Sequence, residues 1–366
     1  MVRLVNVWGL TMKQFQLLNR SRQTTDYSCG AAALRAVLSH WGRDVDEAKL
    51  MELLHTSSEV GTYPEDIAKG ARSLGFDAEV IDNLTLDQLE RLTAEGYPVI
   101  ALAQVWLSER DAGRPLEDIW DNGHYVVVLG VDQDHVYFQD PFIQMSKAFV
   151  PRKTFEDHWH QVMGGDLEKN PKLIHVGIIV KGKRRAKPDA VRDHDVSALD
   201  FSKFGSLNLV VTQFDRYLLP FEFLDALQGI WQDGNVRPNA FIFLRRDADG
   251  NLSGMEGSRL DEGTDVLAMN AAMAAIAEGS LGTPGRVGSS VRAAIAMAAG
   301  GDFGLPVTEL KRIGEMLPAS HSAVIGILEN VWERKLHEIA QRFGGRVINQ
   351  QSMTREAVAK AVSATG

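Results

Sequence analysis

The 366-residue sequence contains a single cysteine, Cys29. One thiol cannot form a disulfide within its own chain, which excludes a fold stabilised by internal disulfides. The first fifteen residues, MVRLVNVWGLTMKQF, lack the continuous apolar segment of a secretory signal. Both absences favour a reducing compartment, so we predict a cytoplasmic protein.

Positive charge is in deficit, because 39 Lys and Arg residues stand against 48 Asp and Glu residues, for a formal net charge of −9. A surface of this sign repels phosphate backbones, which argues against nucleic acid as a partner. The basic run KGKRRAK at 181–187 is a local exception. We interpret this run as part of a solvated linker.

The chain also lacks an uninterrupted apolar run of about 20 residues, the length that a membrane-spanning helix needs. Its Ala- and Gly-rich stretch at 266–301 is interrupted at 282–288, where Pro284 and Arg286 lie. Small side chains let helices approach closely, so we predict a helical hairpin or a self-association surface here. Peripheral membrane contact is the less favoured alternative.

Hydrophobic residues make up 45% of the chain, which is enough to build folded cores. A length of 366 residues suits two domains of ordinary size. We place the first domain at 1–180 and the second at 204–366. Between them, the charged segment at 181–203 contains Pro188 and is interpreted as a linker.

The first domain has helical patterns first and strand patterns after them. Its predicted helices span 31–40, 46–54 and 64–74, and its predicted strands span 98–104, 124–131, 135–139 and 175–180. This order indicates an α+β fold with an antiparallel sheet.

The second domain alternates strands and helices. Its predicted strands span 207–213, 240–244, 323–328 and 346–349, and its predicted helices span 221–231, 307–317 and 332–343, with a final helix after them. Alternation of this kind suggests ferredoxin-like packing, in which helices cover one face of an antiparallel sheet.

Cys29 lies at the predicted start of the 31–40 helix. A thiol is a useful nucleophile only as a thiolate, and the positive end of a helix dipole lowers thiol pKa. Gly30 leaves room for a substrate carbonyl beside the backbone. The position fits a nucleophile, although a lone cysteine is more often a small core residue.

Acyl transfer by a cysteine also needs a base, a group that orients the base, and donors for the oxyanion. His124 begins an apolar strand, and Asp140 ends the next strand after a short turn. Antiparallel pairing brings the start of the first strand close to the end of the second. We therefore expect His124 and Asp140 to be adjacent.

Gln23 lies six residues before Cys29, where its side-chain amide could donate to an oxyanion together with the Cys29 backbone N–H. Each of the four residues has an ordinary structural explanation when taken alone: a loop glutamine, a core cysteine, a strand-end histidine and a turn aspartate. Their occurrence together, each at a suitable place, favours a catalytic site.

These motifs resemble those of the bacteriocin-processing cysteine peptidases, a papain-like family that cuts leader peptides after a Gly-Gly pair. The resemblance extends over about residues 15–180 and rests on Gln23, SCGAA at 28–32, GTYPEDIAKGARSLG at 61–75, GHYVVV at 123–128, Asp140-Pro141 and the 155–159 segment. It implies Cys29 as nucleophile, His124 as general base and acid, Asp140 as orienting residue and Gln23 as oxyanion donor.

The segment of about residues 206–355 resembles a bacterial domain family of unknown function with a Gly-rich helical middle. This resemblance implies assembly or targeting, and we expect a homo-oligomer that forms through the C-terminal domain. Two further hypotheses stay open for the whole chain. One is a non-catalytic peptide-binding scaffold, and the other is an enzyme that passes the acyl group to an amine or hydrolyses a side-chain amide.

Cofactor and metal sites are not predicted. His158 and His160 are two residues apart and could share one strand face, but no further His/Cys cluster has metal-ligand spacing. The expected enzyme therefore works with its own side chains on a peptide or protein substrate.

Overall fold

The computed structural model describes residues 22–104, 114, 118–120, 122–142, 145–164, 168–183, 207–215, 236–258 and 307–343. Among these residues, no helix has both the length and the apolar character that crossing a bilayer demands.

The N-terminal half begins with three helices and continues with strands and two further helices. Its elements are α1 (Cys29–His40), α2 (Glu47–Leu53), α3 (Pro64–Ser73), β1 (Asp77–Ile81), α4 (Leu86–Ala94), β2 (Val99–Gln104), β3 (Gly123–Val131), β4 (His135–Gln139), β5 (Met145–Pro151), α5 (Arg152–His158), β6 (His160–Val162), β7 (Lys172–Ile174) and β8 (Gly177–Lys181).

The C-terminal half contributes four strands and two helices to the described structure. Its elements are β9 (Leu207–Phe214), β10 (Val236–Arg246), β11 (Leu252–Ser258), α6 (Val307–Glu315), β12 (Ser322–Asn330) and α7 (Val331–Arg342). Together the two halves confirm the predicted α+β class.

One antiparallel sheet of ten strands runs through both halves, in the order β1-β8-β2-β3-β4-β5-β11-β10-β12-β9. The halves join where β11 pairs with β5, with Gly254 opposite Phe149. A Cβ on Gly254 would lie 2.2 Å from the Phe149 ring, so only glycine fits at this position of the junction.

Helix α1 packs on β3 and is the centre of the N-terminal core. Its alanines at 31–33 and its residues Leu34, Val37 and Leu38 are completely buried. Alanine has the highest helix propensity and the smallest side chain that still buries apolar surface, so this run both forms the helix and lets it lie close to the sheet. The packing fixes the helix N-terminus, and hence Cys29, against β3.

The sequence reading missed β1, α4, β5, α5, β6, β7 and β11. Helix α4 could have been found from its capping box, in which the Thr85 side chain accepts from Gln88 N and the Gln88 side chain accepts from Thr85 N. Strand β11 carries no comparable signal, because its sequence LSGMEGS contains two glycines and no β-branched residue. It forms a strand because it pairs with β10 on one side and with β5 on the other.

Several predictions lie outside the described residues, namely the helix at 221–231, the hairpin at 266–301 and the strand at 346–349. The ferredoxin-like arrangement is not confirmed. Most of the linker at 181–203 is also outside the description, so the division into two domains stays a prediction.

Candidate active site

Cys29 is the first residue of α1 and is 9% exposed. The turn before it is fixed by Ser28, whose Oγ accepts a hydrogen bond from Thr25 N at 3.1 Å and lies 3.2 Å from Thr25 O, to which it donates. The sulfur therefore lies where the unpaired N–H groups of the helix give positive potential.

His124 and Asp140 meet as the strand pairing predicted. Strands β3 and β4 pair with Val127 opposite Gln139, which places the start of β3 beside the end of β4. His124 Nε2 is 2.7 Å from Asp140 Oδ1, and both side chains are buried. Asp140 Oδ1 also accepts from Phe142 N at 2.7 Å, which fixes the carboxylate.

The His124 imidazole also forms a side-chain hydrogen bond with Cys29. Because Nε2 faces Asp140, Nδ1 is the ring nitrogen left for the sulfur. Sulfur, imidazole and carboxylate thus form one continuous chain of contacts. This is the arrangement in which a base activates a nucleophile and a third group orients the base.

Burial raises the pKa of the Cys29 thiol, but the opposing effects are larger in sum. The charge of His124, its hydrogen bond and a hydrogen bond from the Tyr125 backbone N–H stabilise the thiolate, so the pKa lies below its ordinary value. A lowered thiol pKa distinguishes a reactive cysteine from an inert core residue.

Burial alone lowers the pKa of His124. The negative charges of Asp140 and Cys29 and the hydrogen bonds to both outweigh it and raise the pKa of His124 to about 10. The favoured state of the pair is therefore thiolate and imidazolium. In that state the sulfur is ready to attack and the ring holds a proton for a leaving group.

Gln23 is buried beside this group, since its backbone N donates to Pro141 O at 2.7 Å, one residue after Asp140. Its side-chain Nε2 donates to Thr25 O at 2.8 Å. Nε2 carries a second hydrogen, for which the described residues provide no further acceptor. The structure therefore brings Gln23 to the same end of the sheet as Asp140.

Sequence reasoning missed Gln104, which is 1% exposed at the end of β2. Its Oε1 accepts from Asn122 N at 2.8 Å, and its Nε2 donates to His160 O at 2.9 Å. Asn122 precedes the strand that begins with Gly123 and His124. A polar residue at the end of the all-apolar segment VIALA was the signal that could have identified it.

Gly30 has a different structural reason from the expected access for a substrate. A Cβ on Gly30 would lie 3.0 Å from Thr62 Cβ and 3.2 Å from Ile67 Cδ1. The missing side chain therefore faces the protein interior, where α1 approaches α3 and Thr62, two residues before that helix.

The metal possibility raised for His158 and His160 finds no support in their contacts. His158 Nδ1 is hydrogen-bonded to Gln104 O, and His160 Nε2 lies 2.8 Å from Ile119 O. Each ring is thus held by a backbone carbonyl.

Comparison with known proteins extends these observations. A model of the peptidase C39 family matches residues 18–163, a range that includes Gln23, Cys29, His124 and Asp140. The match ends before the C-terminal half, so it does not test the resemblance expected for 206–355.

Several curated proteins match a part of the chain of similar length. The transport/processing ATP-binding protein ComA of Streptococcus pneumoniae is 32% identical over 138 residues, which is 37% of this chain and 17% of ComA. The pediocin PA-1 transport/processing protein PedD of Pediococcus acidilactici is 25% identical over 140 residues, 38% of this chain and 17% of PedD. An uncharacterised protein of Methanothermobacter marburgensis is 32% identical over 134 residues, 37% of this chain and 78% of its own length.

A search of solved structures finds the peptidase domain of Streptococcus ComA, with 23% identity and a TM-score of 0.33, covering 45% of this chain and 98% of that domain. The chain spans about a sixth of the length of the transport/processing proteins that it matches. The region matched by the family model carries the thiol, imidazole and carboxylate. The chain belongs to the peptidase C39 family through residues 18–163.

Proposed function

We propose that this protein is a cysteine peptidase with Cys29 as nucleophile, His124 as general base and acid, and Asp140 as the residue that orients the imidazole. The observation that supports it best is the buried chain of contacts from Cys29 through His124 to Asp140, with a lowered thiol pKa and a raised imidazole pKa. A core cysteine without a function would have neither partner.

The reaction follows from the protonation state of the pair. The thiolate of Cys29 attacks the scissile carbonyl carbon, and the oxyanion accepts hydrogen bonds from the Gln23 amide and the Cys29 backbone N–H. The imidazolium of His124 then gives its proton to the leaving amine as the C–N bond breaks. Water attacks the thioester while His124 takes up a proton, which releases the acid and restores the thiolate.

The substrate that we propose is a peptide cut after a Gly-Gly pair, as the resemblance to the bacteriocin-processing peptidases implies. The relatives ComA and PedD are transport/processing proteins by name, and their similarity to this chain extends over 138 and 140 residues. The proposed mechanism needs no cofactor, because the thiolate and imidazolium supply both nucleophile and acid.

Mass analysis of the products tests this assignment directly. The full chain is incubated with peptides that contain an internal Gly-Gly pair, and the expected product ends in glycine with a free carboxylate. Product mass also separates peptide hydrolysis from transfer to an amine and from side-chain deamidation. Binding of the peptides without any product would favour the scaffold hypothesis. Cleavage that persists after iodoacetamide blocks the thiol would instead contradict the assignment of Cys29 as nucleophile.

We also propose that the C-terminal half assembles two copies of the chain. Strand β9 lies at the end of the sheet and has one neighbour among the described strands, β12. Its sequence LNLVVTQF contains no charge and no proline, and Val210 and Val211 are 39% and 60% exposed. Uncharged edges of this kind invite pairing with another strand.

A second copy is the occupant that this edge suits. An antiparallel pair of two β9 strands is self-complementary under a two-fold axis, and no like charges meet when a strand without charge pairs with itself. Helix α7 adds an apolar stripe near the same end of the sheet, formed by Trp332, Leu336, Ile339 and Phe343. The opposite edge, β1, carries Asp77 and Glu79, which discourage such pairing.

A further inference from the structure

Glu47 carries a buried carboxylate that the chemistry described so far does not use. It is the first residue of α2 and is 3% exposed. Its Oε1 accepts two hydrogen bonds from one residue, from Thr24 N at 2.8 Å and from Thr24 Oγ1 at 3.0 Å. Its Oε2 is buried, and none of the described residues donates to it.

Helix α2 does not need this carboxylate for its own start. The residue before it, Asp46, is the N-cap, and its exposed side chain accepts from Ala48 N at 3.0 Å. Burying a carboxylate costs several kcal/mol unless hydrogen bonds or charges compensate. The burial of Glu47 is therefore explained by the segment that its hydrogen bonds hold in place.

That segment, residues 23–25, is fixed at three points. Glu47 holds Thr24, Pro141 O accepts from Gln23 N, and Ser28 Oγ exchanges hydrogen bonds with the backbone of Thr25. The last two points connect the segment to the neighbours of Asp140 and of Cys29. Pro141 and Ser28 are the sequence neighbours of Asp140 and Cys29. Glu47 instead lies on α2, a helix that carries none of the catalytic residues.

We propose that Glu47 is a positioning residue, which acts through Thr24 to hold the Gln23 amide at the place where the oxyanion forms. It does not touch the substrate. The inference rests on the proposed function of Gln23 as an oxyanion donor, and it predicts a specific pattern of kinetic effects. Loss of the carboxylate misplaces a donor of the transition state and leaves the thiolate and imidazolium pair intact.

The test measures kcat, KM and the rate of Cys29 alkylation by iodoacetamide across pH, for the full chain and its variants. Glu47→Ala is expected to lower kcat about 10- to 100-fold, since displacements of about 1 Å cost up to this factor. KM and the alkylation profile should stay at wild-type values. Glu47→Gln retains an acceptor for Thr24 and should recover most of kcat, and Asp46→Ala is the matched control that should leave kcat unchanged.

A double mutant sharpens the result. If Glu47 acts only through Gln23, then Glu47→Ala combined with Gln23→Ala should be no slower than Gln23→Ala alone. Thr24→Val removes one of the two hydrogen bonds to the carboxylate and should give a smaller loss of the same kind, which keeps the test usable if Glu47→Ala does not fold.

Three results would overturn the inference: multiplicative losses in the double mutant, an alkylation rate that falls in parallel with kcat, or wild-type kcat in Glu47→Ala. In each of these cases the wild-type chain still cleaves its peptide, so the proposed function survives. A wild-type chain that cleaves no Gly-Gly peptide would instead overturn both.

Discussion

The two halves of the molecule differ in what they bury and what they expose. Among the described residues of 22–183, the site groups Gln23, Glu47, His124 and Asp140 are buried, and the exposed large apolar side chains are Leu53 and Tyr63. In the described part of 207–343 the large apolar side chains left exposed are Val210, Val211, Met316, Trp332, Leu336, Ile339 and Phe343. Buried polar groups cost folding free energy, and exposed apolar groups favour association. This difference is the basis for our proposal that the first half carries the chemistry and the second half contacts other molecules.

The largest expected effect separates these two roles by removing the nucleophile. Cys29→Ala should lower the rate of peptide cleavage by about a millionfold, the loss that follows removal of a nucleophile in other peptidases. The solution mass should not change, because Cys29 lies on α1, which packs on β3, and five strands of the sheet separate β3 from β9. Peptide kinetics and light scattering on the same preparation measure both quantities, and cleavage at the normal rate would contradict the assignment of Cys29.

A smaller loss is expected from Asp140→Asn, which keeps the size of the side chain and removes its charge. The imidazolium of His124 then loses its nearest negative partner, so its pKa should fall below about 10. We expect kcat to drop by up to about 10⁴-fold, as in other triads when the carboxylate becomes an amide. An unchanged pH profile of alkylation in this variant would show that Asp140 does not stabilise the ion pair.

The next prediction concerns the C-terminal half alone. Val211→Lys places a charge on the exposed edge of β9, and two copies paired across a two-fold axis would bring two such charges together. The mass in solution should shift from dimer to monomer, and kcat per chain should stay the same. Met316→Lys, at a side chain that is 63% exposed outside β9, is the matched control. Equal masses for all three proteins would contradict pairing through β9.

The smallest expected effect lies at the junction between the halves. His135 on β4 is hydrogen-bonded through Nε2 to Leu252 O on β11, at 3.1 Å. Burial, and next the charge of Lys311, lower the pKa of His135, while Asp132 and Asp134 oppose the shift. A folded-state pKa below the unfolded value gives stability that is complete above about pH 6.5 and is lost as the pH falls through the folded pKa.

Denaturant unfolding at several pH values between 7.5 and 5 measures this contribution. The free energy of unfolding should decrease less steeply on acidification in His135→Gln than in the wild type. His158 and His160 also have lowered pKa values and contribute in both proteins, so the difference between the two slopes isolates His135. Identical slopes would show that His135 does not titrate with folding.

The adjacency of His124 and Asp140 could be predicted from the sequence, because local rules place both residues. His124 and Asp140 flank two strands that a three-residue turn joins, so antiparallel pairing alone brings them together. Cys29 could be identified as a candidate nucleophile because an alanine-rich helix begins there. Helices α1, α2 and α3 and the apolar strands β2, β3, β4 and β8 were also predicted, because a local sequence pattern indicates each of them.

The contacts of the supporting residues were not predictable, because these contacts join distant segments. Glu47 reads as an ordinary acidic residue at a helix start, and only the fold shows it beside Thr24, 23 residues earlier. Gln104 likewise meets Asn122 and His160 through pairing of separate strands. Strand β11 forms because Gly254 fits against Phe149, a complementarity that no pattern within LSGMEGS indicates.

The rate of Cys29 alkylation by iodoacetamide as a function of pH tests the central claim most directly. Because Cys29 is the sole cysteine, the modified fraction reports this thiol alone. The thiolate and imidazolium pair predicts rapid alkylation at pH values well below the ordinary thiol pKa of about 8.5, and a shift to that value in the unfolded chain. A folded protein whose alkylation rate rises only near pH 8.5, or whose rate is unaffected by His124→Ala, would contradict the account.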